Sequence, residues 1–129
     1  DQVAAAGRLA GRILDLAGHA LALGEPYARP LLAHSTLYAP LVAAADADEG
    51  RFVAAVSAAL DRIGIPARPI CGRRQTIRSG AQALVGFSVM VHGLAPDHAR
   101  GLLQAGIGPH RRLGCGVFVP HRSAAAVGA

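Results

Sequence analysis

Lysine is absent from this chain, so all thirteen of its basic residues are arginine. A P-loop of the GxxxxGK[ST] kind, a Schiff-base lysine and a lysine nucleophile are therefore excluded, because each needs the ammonium group itself. A GC-rich gene also replaces lysine codons with arginine codons, so the bias alone does not identify a function. The positions of the arginines are more informative than their number.

Long apolar runs are also missing. No window approaches the roughly 18 to 20 uncharged residues of a transmembrane helix, and Asp1 does not begin a basic-then-apolar signal peptide. The composition, 52% hydrophobic and 16% charged, is that of a globular protein, and 129 residues correspond to one domain or to one domain plus a fragment. We expect a cytoplasmic protein that binds no membrane.

Cysteine is scarce, and the residues that could bind a metal are poorly spaced for it. Cys71 and Cys115 form no CxxC pair, and the six histidines include no HExxH motif. The acidic run at 46–49 resembles the start of a calcium loop, but Ser57 occupies the position of the closing glutamate. Acidic residues that precede a helix are better explained by the helix dipole. We therefore expect two small core cysteines, no metal and no cofactor.

The charge is unevenly distributed along the chain. Residues 1–67 hold five arginines and seven carboxylates, a balance of −2, whereas residues 68–129 hold eight arginines and only Asp97, a balance of +7. A segment this basic is typical of a surface that binds a polyanion, of which nucleic acid is the commonest. The alternative is a solvated basic face with no ligand.

The first thirty residues predict a helix end, a hairpin and a linker. Residues 2–9 have the pattern of a helix, and residues 12–16 and 19–23 alternate around Ala17-Gly18 as a tight hairpin. Two prolines then keep residues 25–30 extended. Such an opening is typical of the tail of a preceding domain.

From residue 36 the hydrophobic pattern predicts the order β-α-β-β-α-β. The elements are a strand at 36–44, a helix from Gly50-Arg51 with Phe52, Val56, Leu60 and Ile63 on one face, strands at 67–78 and 82–92, a helix from Pro96 to Gly106, and a strand at 117–119 before Pro120. This order predicts an α+β protein of the ferredoxin-like class, an antiparallel four-stranded sheet with two helices on one face.

Three segments follow from these patterns. We expect residues 1–30 to be the end and linker of a first ferredoxin-like domain, residues 31–122 to be a second such domain, and residues 123–129 to be a flexible tail. RRM proteins share the fold and stack RNA bases on aromatic side chains, but aromatics form only 4% of this chain and tryptophan is absent. Binding by arginine and backbone groups is therefore favoured over base stacking on the sheet.

A glycine-rich loop at 106–116, with the pattern GxGxxxxxGxG, joins the second predicted helix to the last strand. Its glycines let a ligand approach the backbone, and its centre carries basic side chains, so the loop has suitable donors for RNA phosphates. The candidate residues are Gly106, Gly108, His110, Arg111, Arg112, Gly114 and Gly116. The alternative is that the glycines only permit a tight crossing beside an edge strand.

A second basic cluster lies on the strand before the Ser79-Gly80 turn. It comprises Arg73, Arg74, Gln75 and Arg78, with Arg74 and Arg78 expected on one face and Arg73 on the other. A basic hairpin of this kind can grip an RNA stem, and its alternative is a solvated hairpin. Tyr38, on the first strand, is more typical of a core position than of a ligand contact.

Four motifs in order along the chain resemble one protein family. The glycine-rich loop with VFVPHR at 117–122 resembles the C-terminal signature of the CRISPR-associated repeat-processing endoribonucleases of the Cas-six type, in the RAMP superfamily. LDLAGH at 14–19, TLY at 36–38, and GRRQTIR at 72–78 with VGFSV at 85–89 resemble the myxobacterial branch of that family.

This resemblance implies two tandem ferredoxin-like domains that bind the repeat of a precursor CRISPR RNA and cleave it without metal to guide RNA. It adds His121 and Arg122 to the RNA contacts. It also implies that the protein stays on the 3′ stem-loop, with other Cas subunits of a Cascade-type complex, the backbone subunit above all.

The catalytic residue remains open at this point. In the family the catalytic histidine usually belongs to the first domain, so His19, His34 and His110 are candidates only. Two other functions are possible: a non-catalytic RAMP subunit that caps a ribonucleoprotein complex, and a ferredoxin-like module that binds a small regulatory molecule. The basic second half argues against the last of these.

Overall fold

The computed structural model describes residues 2–121. The predicted tail at 123–129 and the predicted RNA contact at Arg122 lie outside the described residues. The chain divides into two compact units, Asp1–Pro30 and Leu31–Ala129. No helix within the described part is both long and apolar enough to cross a bilayer.

The first unit contains a short helix and a hairpin, as expected. Helix α1 covers Gln2–Gly7, and strands β1, Ile13–Leu16, and β2, His19–Ala22, pair antiparallel. Ala17 and Gly18 both have positive φ, 51° and 83°, which is the backbone of a two-residue hairpin turn whose twist matches that of the strands. The backbone N–H of Gly18 also donates to the Asp15 carboxylate at 2.8 Å.

The second unit contains the four-stranded sheet. Its elements are β3, Leu37–Ala43; α2, Glu49–Arg62; β4, Pro69–Ser79; β5, Gln82–Val91; α3, Pro96–Ala105; a 3₁₀ turn, Arg111–Leu113; and β6, Val119–Pro120. The strand order is β4-β5-β3-β6, and every neighbouring pair is antiparallel. This order and the β-α-β-β-α-β succession confirm the ferredoxin-like fold.

The core lies between the sheet and the two helices. Apolar residues alternate on β3 and β5, so that one face of the sheet is buried, and they recur at helical spacing on α2 and α3. The core side chains include Leu37, Ala39, Val42, Phe52, Val56, Leu60, Phe87, Val89, Val91, Ala99 and Leu102. The Phe52 and Phe87 rings, 4.7 Å apart between centroids, join α2 to β5.

Two sequence predictions were wrong in detail. Ile63 was expected on the buried face of α2, but it is 42% exposed, because the helix ends at Arg62 and Ile63 leaves the helical path as its C-cap. Ile65, which is buried, packs there instead and donates its N–H to the Leu60 carbonyl at 2.9 Å.

The last strand also differs from the prediction. It covers Val119–Pro120, not 117–119, and pairs with Tyr38 and Leu37. Phe118 lies outside the strand and is buried in the core at 3% exposure. Proline is tolerated in β6 because this is an edge strand, where a missing N–H need not break a ladder between two neighbours.

Candidate nucleic-acid interface

The glycine-rich loop begins where α3 ends and crosses its own chain. The N–H of Ile107 donates to the Gly116 carbonyl at 3.0 Å, and the N–H of Gly116 donates to the Leu41 carbonyl of β3 at 2.7 Å. A Cβ at Gly116 would lie 1.7 Å from the Ile107 oxygen, and one at Gly106 would lie 2.6 Å from the Gly116 oxygen. Gly106 and Gly116, the outer glycines, are therefore required by a tight backbone crossing.

The inner glycines, Gly108 and Gly114, are in a different situation. Their φ values are 77° and 85°, but a Cβ would meet only Val42 Cγ1 at 3.7 Å in the first case and nothing within 4 Å in the second. His110, between them, is also left-handed at φ 63°. This central stretch is exposed. The tight crossing that we considered as the alternative role of the glycines therefore applies to the outer glycines, whereas the backbone at the inner glycines is open to a ligand.

The two loop arginines differ in their contacts. The Arg111 guanidinium donates to the Ala105 carbonyl at the C-terminal end of α3, where a cation also complements the helix dipole. Within residues 2–121 the Arg112 guanidinium has no hydrogen bond and no ion pair. Both side chains belong to exposed residues. Arg111 thus caps the C-terminal end of α3, whereas Arg112 is free to contact a ligand.

An open groove lies between α2, the end of β3 and the glycine-rich loop. Its volume is about 420 Å³. Its walls are mainly apolar, and its lining includes Val42, Ala43, Ala44, Ala45, Phe52, Ala55, Val56, Leu84, Ile107 and Pro109. Four charged or titratable side chains also line this α2 groove: Asp46, Arg51, Arg62 and His110. The sequence did not predict the groove, since no spacing along the chain indicates that α2 and the loop lie side by side.

Strands β4 and β5 form the second candidate surface, which we call the arginine arm (residues 69–91). They pair from Pro69 and Val91 to Ser79 and Gln82, whereas β3 pairs with β5 only as far as Gly86. The far end of the hairpin therefore extends beyond β3 as two strands. The Val85 carbonyl still accepts from the Ala44 N–H at 2.8 Å, and among the described residues 76–84 pair only within the hairpin.

The arginines of the arm have the arrangement expected for Arg74 and Arg78. Arg74 pairs with Phe87 and Arg78 with Ala83, so both lie on the face of the sheet that carries the core residue Phe87. Arg73 lies in a bulge between Cys71 and Arg74, where its backbone N–H donates to Ser88 Oγ at 3.0 Å. All three arginines are exposed.

Gln75 has a structural contact that the sequence did not indicate. It pairs with Gly86 on β5, and its Nε2 donates to the Pro40 carbonyl on β3 at 2.8 Å. One side chain of β4 therefore contacts β3, which is not the neighbour of β4 in the sheet. Its amide donor is used within the fold.

The histidines are dispersed. His19 lies on β2, His34 precedes β3, and His110 lies in the loop; all three are exposed, and no side-chain hydrogen bond described for residues 2–121 involves their imidazoles. His121 is half-buried against Tyr38, with ring centroids 5.3 Å apart, and its backbone N–H donates to the Thr36 carbonyl. The structure thus places His110 in the same exposed loop as Arg112, and gives His121 a packing contact.

The positive charge of the second half is largely uncompensated. In the described part of this half, Arg100 pairs with Asp97, its one side-chain carboxylate. Cys115 is buried, and burial, with a smaller contribution from Glu49, raises the pKa of the partly buried Cys71 thiol. A raised pKa disfavours the thiolate, which is the nucleophilic form of cysteine.

Comparison with known proteins gives three results. A family model described as Cas6 CRISPR matches residues 1–123. The CRISPR-associated endonuclease Cas6 of Myxococcus xanthus (strain DK1622) is 40% identical over 115 residues, which are 88% of this chain and 50% of that protein. The chain thus spans about half the length of this curated relative. A solved structure of the CRISPR endoribonuclease Cse3 bound to a 19-nucleotide RNA superimposes with a TM-score of 0.49 at 18% identity, covering 84% of this chain and 66% of that one.

Proposed function

We propose, from the premise that this chain belongs to the Cas6 CRISPR family, that it binds the repeat stem-loop of precursor CRISPR RNA and takes part in its cleavage to guide RNA. The observation that carries the proposal is the family match, which includes both the glycine-rich loop and the arginine arm. The named activity of the Myxococcus relative, an endonuclease, agrees with it.

The charges of the second unit support RNA binding. Phosphates are bound best by guanidinium groups and backbone N–H donors that are free of internal partners. Arg74 and Arg78 on the arm and Arg112 in the loop meet this requirement in the described residues. The arm suits a stem backbone, since its far end extends beyond β3, and the loop suits a phosphate that approaches the inner glycines closely.

Cleavage would need three groups. A base removes the proton from a ribose 2′-OH, the 2′-oxygen attacks the adjacent phosphorus, and an acid protonates the departing 5′-oxygen; a cation stabilises the charge on the phosphorane. The products are a 2′,3′-cyclic phosphate and a 5′-hydroxyl. We propose that this reaction needs no metal, because imidazole and guanidinium groups can fill the three roles.

The described residues support RNA binding by this chain better than they support a general base for cleavage. His110 has Arg112 close to it in sequence within an exposed loop, but no described contact orients its imidazole. A base held by a second group is the usual arrangement in catalytic sites. We therefore assign His110 to RNA binding first and keep His19 and His34 as the other candidates for the base.

The first unit supports a further part of the proposal. None of its described residues is buried, and apolar side chains such as Ile13, 72% exposed, and Leu16, 55% exposed, face solvent. A hairpin with such exposure gains stability when another protein surface covers it. We propose that residues 1–30 complete a first ferredoxin-like domain, and that the protein remains on the 3′ handle beside other Cas subunits, including the backbone subunit.

The test compares two proteins in EDTA. One is the 129-residue chain, and the other is a chimera that joins it to the part of the Myxococcus relative outside the match. Each is mixed with repeat RNA from the source genome's CRISPR array and with a scrambled RNA of equal length, and binding is followed by fluorescence anisotropy and products by gel. We expect both to prefer the repeat, and the chimera alone to leave a 2′,3′-cyclic phosphate.

Other outcomes have defined meanings. Tight repeat binding without cleavage by either protein would favour a non-catalytic RNA-capping subunit, and cleavage by the short chain would point to His110, His34 or His19. Cleavage that EDTA abolishes would contradict the metal-free reaction. No preference for the repeat RNA by either protein would overturn the proposal.

A further inference from the structure

The α2 groove has a composition that the binding of phosphates does not explain. Its floor consists of buried apolar side chains, Val42, Phe52, Val56 and Ile107, each 5% exposed or less. Small residues, the alanines at 43–45 and at 55, also line it. Its volume of about 420 Å³ falls within the range of roughly 300–1,000 Å³ that is typical of small-ligand sites. The groove thus fits a compact ligand with flat apolar faces.

Polar groups line the same groove, and two of them, Asp46 and Arg51, contact each other. The Asp46 carboxylate accepts from the backbone N–H of Asp48 at 2.8 Å and from Arg51 Nη1 at 3.3 Å. The Arg62 guanidinium and the His110 imidazole complete the set. Together they offer hydrogen-bond acceptors and donors at the edge of an apolar slot, which is how proteins read an unpaired base.

We propose that the α2 groove binds one unpaired nucleobase of the RNA, extruded from the strand whose phosphates contact the glycine-rich loop. This inference rests on the proposed function. Gly108 and His110 belong both to the loop and to the groove lining, so a nucleotide whose phosphate lies on the inner glycines has its base within reach of the groove. The base would insert between α2 and the loop and present its polar edge to Asp46 and Arg51.

Charge favours a nucleotide over a peptide as the occupant. Two arginines and a histidine line the groove against one carboxylate, and that carboxylate is already paired with Arg51. The adjoining loop adds Arg112, whose guanidinium has no described partner. A nucleotide supplies an apolar base for the slot and an anionic phosphate for these cations.

The test fills the groove without changing its charge. Ala55, which lines the groove, and Ala58, an exposed residue of the same helix outside the lining, are each replaced in separate variants, Ala55→Leu and Ala58→Leu. Ala45→Leu fills the groove from the other wall. The affinity of each folded variant of the 129-residue chain is measured for repeat RNA and for a set of repeats with one abasic site at each unpaired position.

We expect Ala55→Leu and Ala45→Leu to weaken binding about tenfold and Ala58→Leu to leave it unchanged. One abasic position should weaken wild-type binding by a similar factor and cause no further loss in the two filled variants, because both changes remove the same contact. At that position, 2-aminopurine should change its fluorescence on binding to wild type and not to Ala55→Leu.

Three results would overturn the inference. The first is wild-type affinity in both filled variants. The second is a loss of RNA affinity in the filled variants that adds to the loss caused by every abasic site. Such additive losses would indicate a general steric clash and not the removal of one shared contact. The third is an unchanged RNA affinity with a changed oligomeric state of the RNA-free chain, which would make a second copy the occupant. If neither the wild-type chain nor the chimera prefers the repeat RNA, the proposed function fails first, and the inference fails with it.

Discussion

The glycine-rich loop and the arginine arm were both predicted to contact RNA, but the fold constrains them in different ways. In the loop, the outer glycines are fixed by backbone atoms: the Gly116 carbonyl accepts from Ile107, and no side chain fits at either position. In the arm, the arginines are exposed and paired only through their backbone.

A residue of this protein can be needed for function in two ways, through folding or through binding. A loop glycine can matter because the domain does not fold without it, whereas an arm arginine can matter only through what it binds. Variants of the outer loop glycines and of the arm arginines should therefore differ in kind: the glycine variants should lose stability, and the arginine variants should lose RNA affinity at unchanged stability.

The largest effect is expected from Gly116→Ala. The new Cβ would lie 1.7 Å from the Ile107 oxygen in a left-handed backbone, and the cost is roughly 2–5 kcal/mol of unfolding free energy. Gly114→Ala, at φ 85° with nothing within 4 Å, is the matched control and should lose only about 1–2 kcal/mol. Equal losses for the two variants in urea unfolding would show that crowding does not fix the loop.

The next effect concerns the arm. The double variant Arg74→Glu/Arg78→Glu should weaken repeat binding about 10- to 100-fold at low salt, because two cations become anions beside the phosphates. The slope of log affinity against log salt should flatten by roughly 0.7–0.9 for each lost phosphate contact. Arg8→Glu/Arg12→Glu, with the same change of charge at exposed positions of the first unit, is the control. Similar weakening in the control would mean that net charge alone, not the arm, binds RNA.

A smaller effect should separate the two loop arginines. Arg111→Ala removes the hydrogen bond to the Ala105 carbonyl and should lower the unfolding free energy by about 1 kcal/mol. Arg112→Ala should change stability by less than about 0.5 kcal/mol, as is usual for surface changes, and weaken RNA binding several-fold. Thermal melts and anisotropy measure both quantities, and an unstable Arg112 variant would contradict the division of roles.

The smallest effect is expected from Gln75→Ala. Loss of the hydrogen bond to the Pro40 carbonyl should cost about 1 kcal/mol, and RNA affinity should stay within about twofold of wild type. Thr76→Ala, at the next and exposed position of β4, is the comparison variant and should change neither quantity. A marked loss of affinity in Gln75→Ala alone would return this residue to the RNA contacts first predicted for it.

Much of the fold could be predicted from local pattern. The alternation of Val89 and Val91, the helical spacing of Phe52 and Val56, and the glycine after each helix are signals contained in short windows, and the structure has the corresponding elements. Ile63 shows the limit: it fits the helical spacing, yet the helix ends before it. The end of an element depends on what the following residues pack against.

The candidate site was predictable only in part, for the same reason. The loop and the arm were found from glycine spacing and arginine clustering, whereas the α2 groove, the task of Arg111 and the contact of Gln75 with Pro40 were not. Each of these three features depends on a contact between residues that the sequence alone does not place next to each other. Composition and spacing cannot indicate which of two arginines has an internal partner.

The order of the elements, the antiparallel sheet and the concentration of arginine in the second half follow from the amino-acid sequence, because hydrophobic period and charge are properties of the chain alone. Which glycines of the loop are crowded and which stay open depends on the folded structure. Gly116 is crowded because it contacts Ile107 and donates its N–H to the Leu41 carbonyl on β3. These contacts form only when the loop packs against β3, since van der Waals contact acts only between atoms that folding brings together.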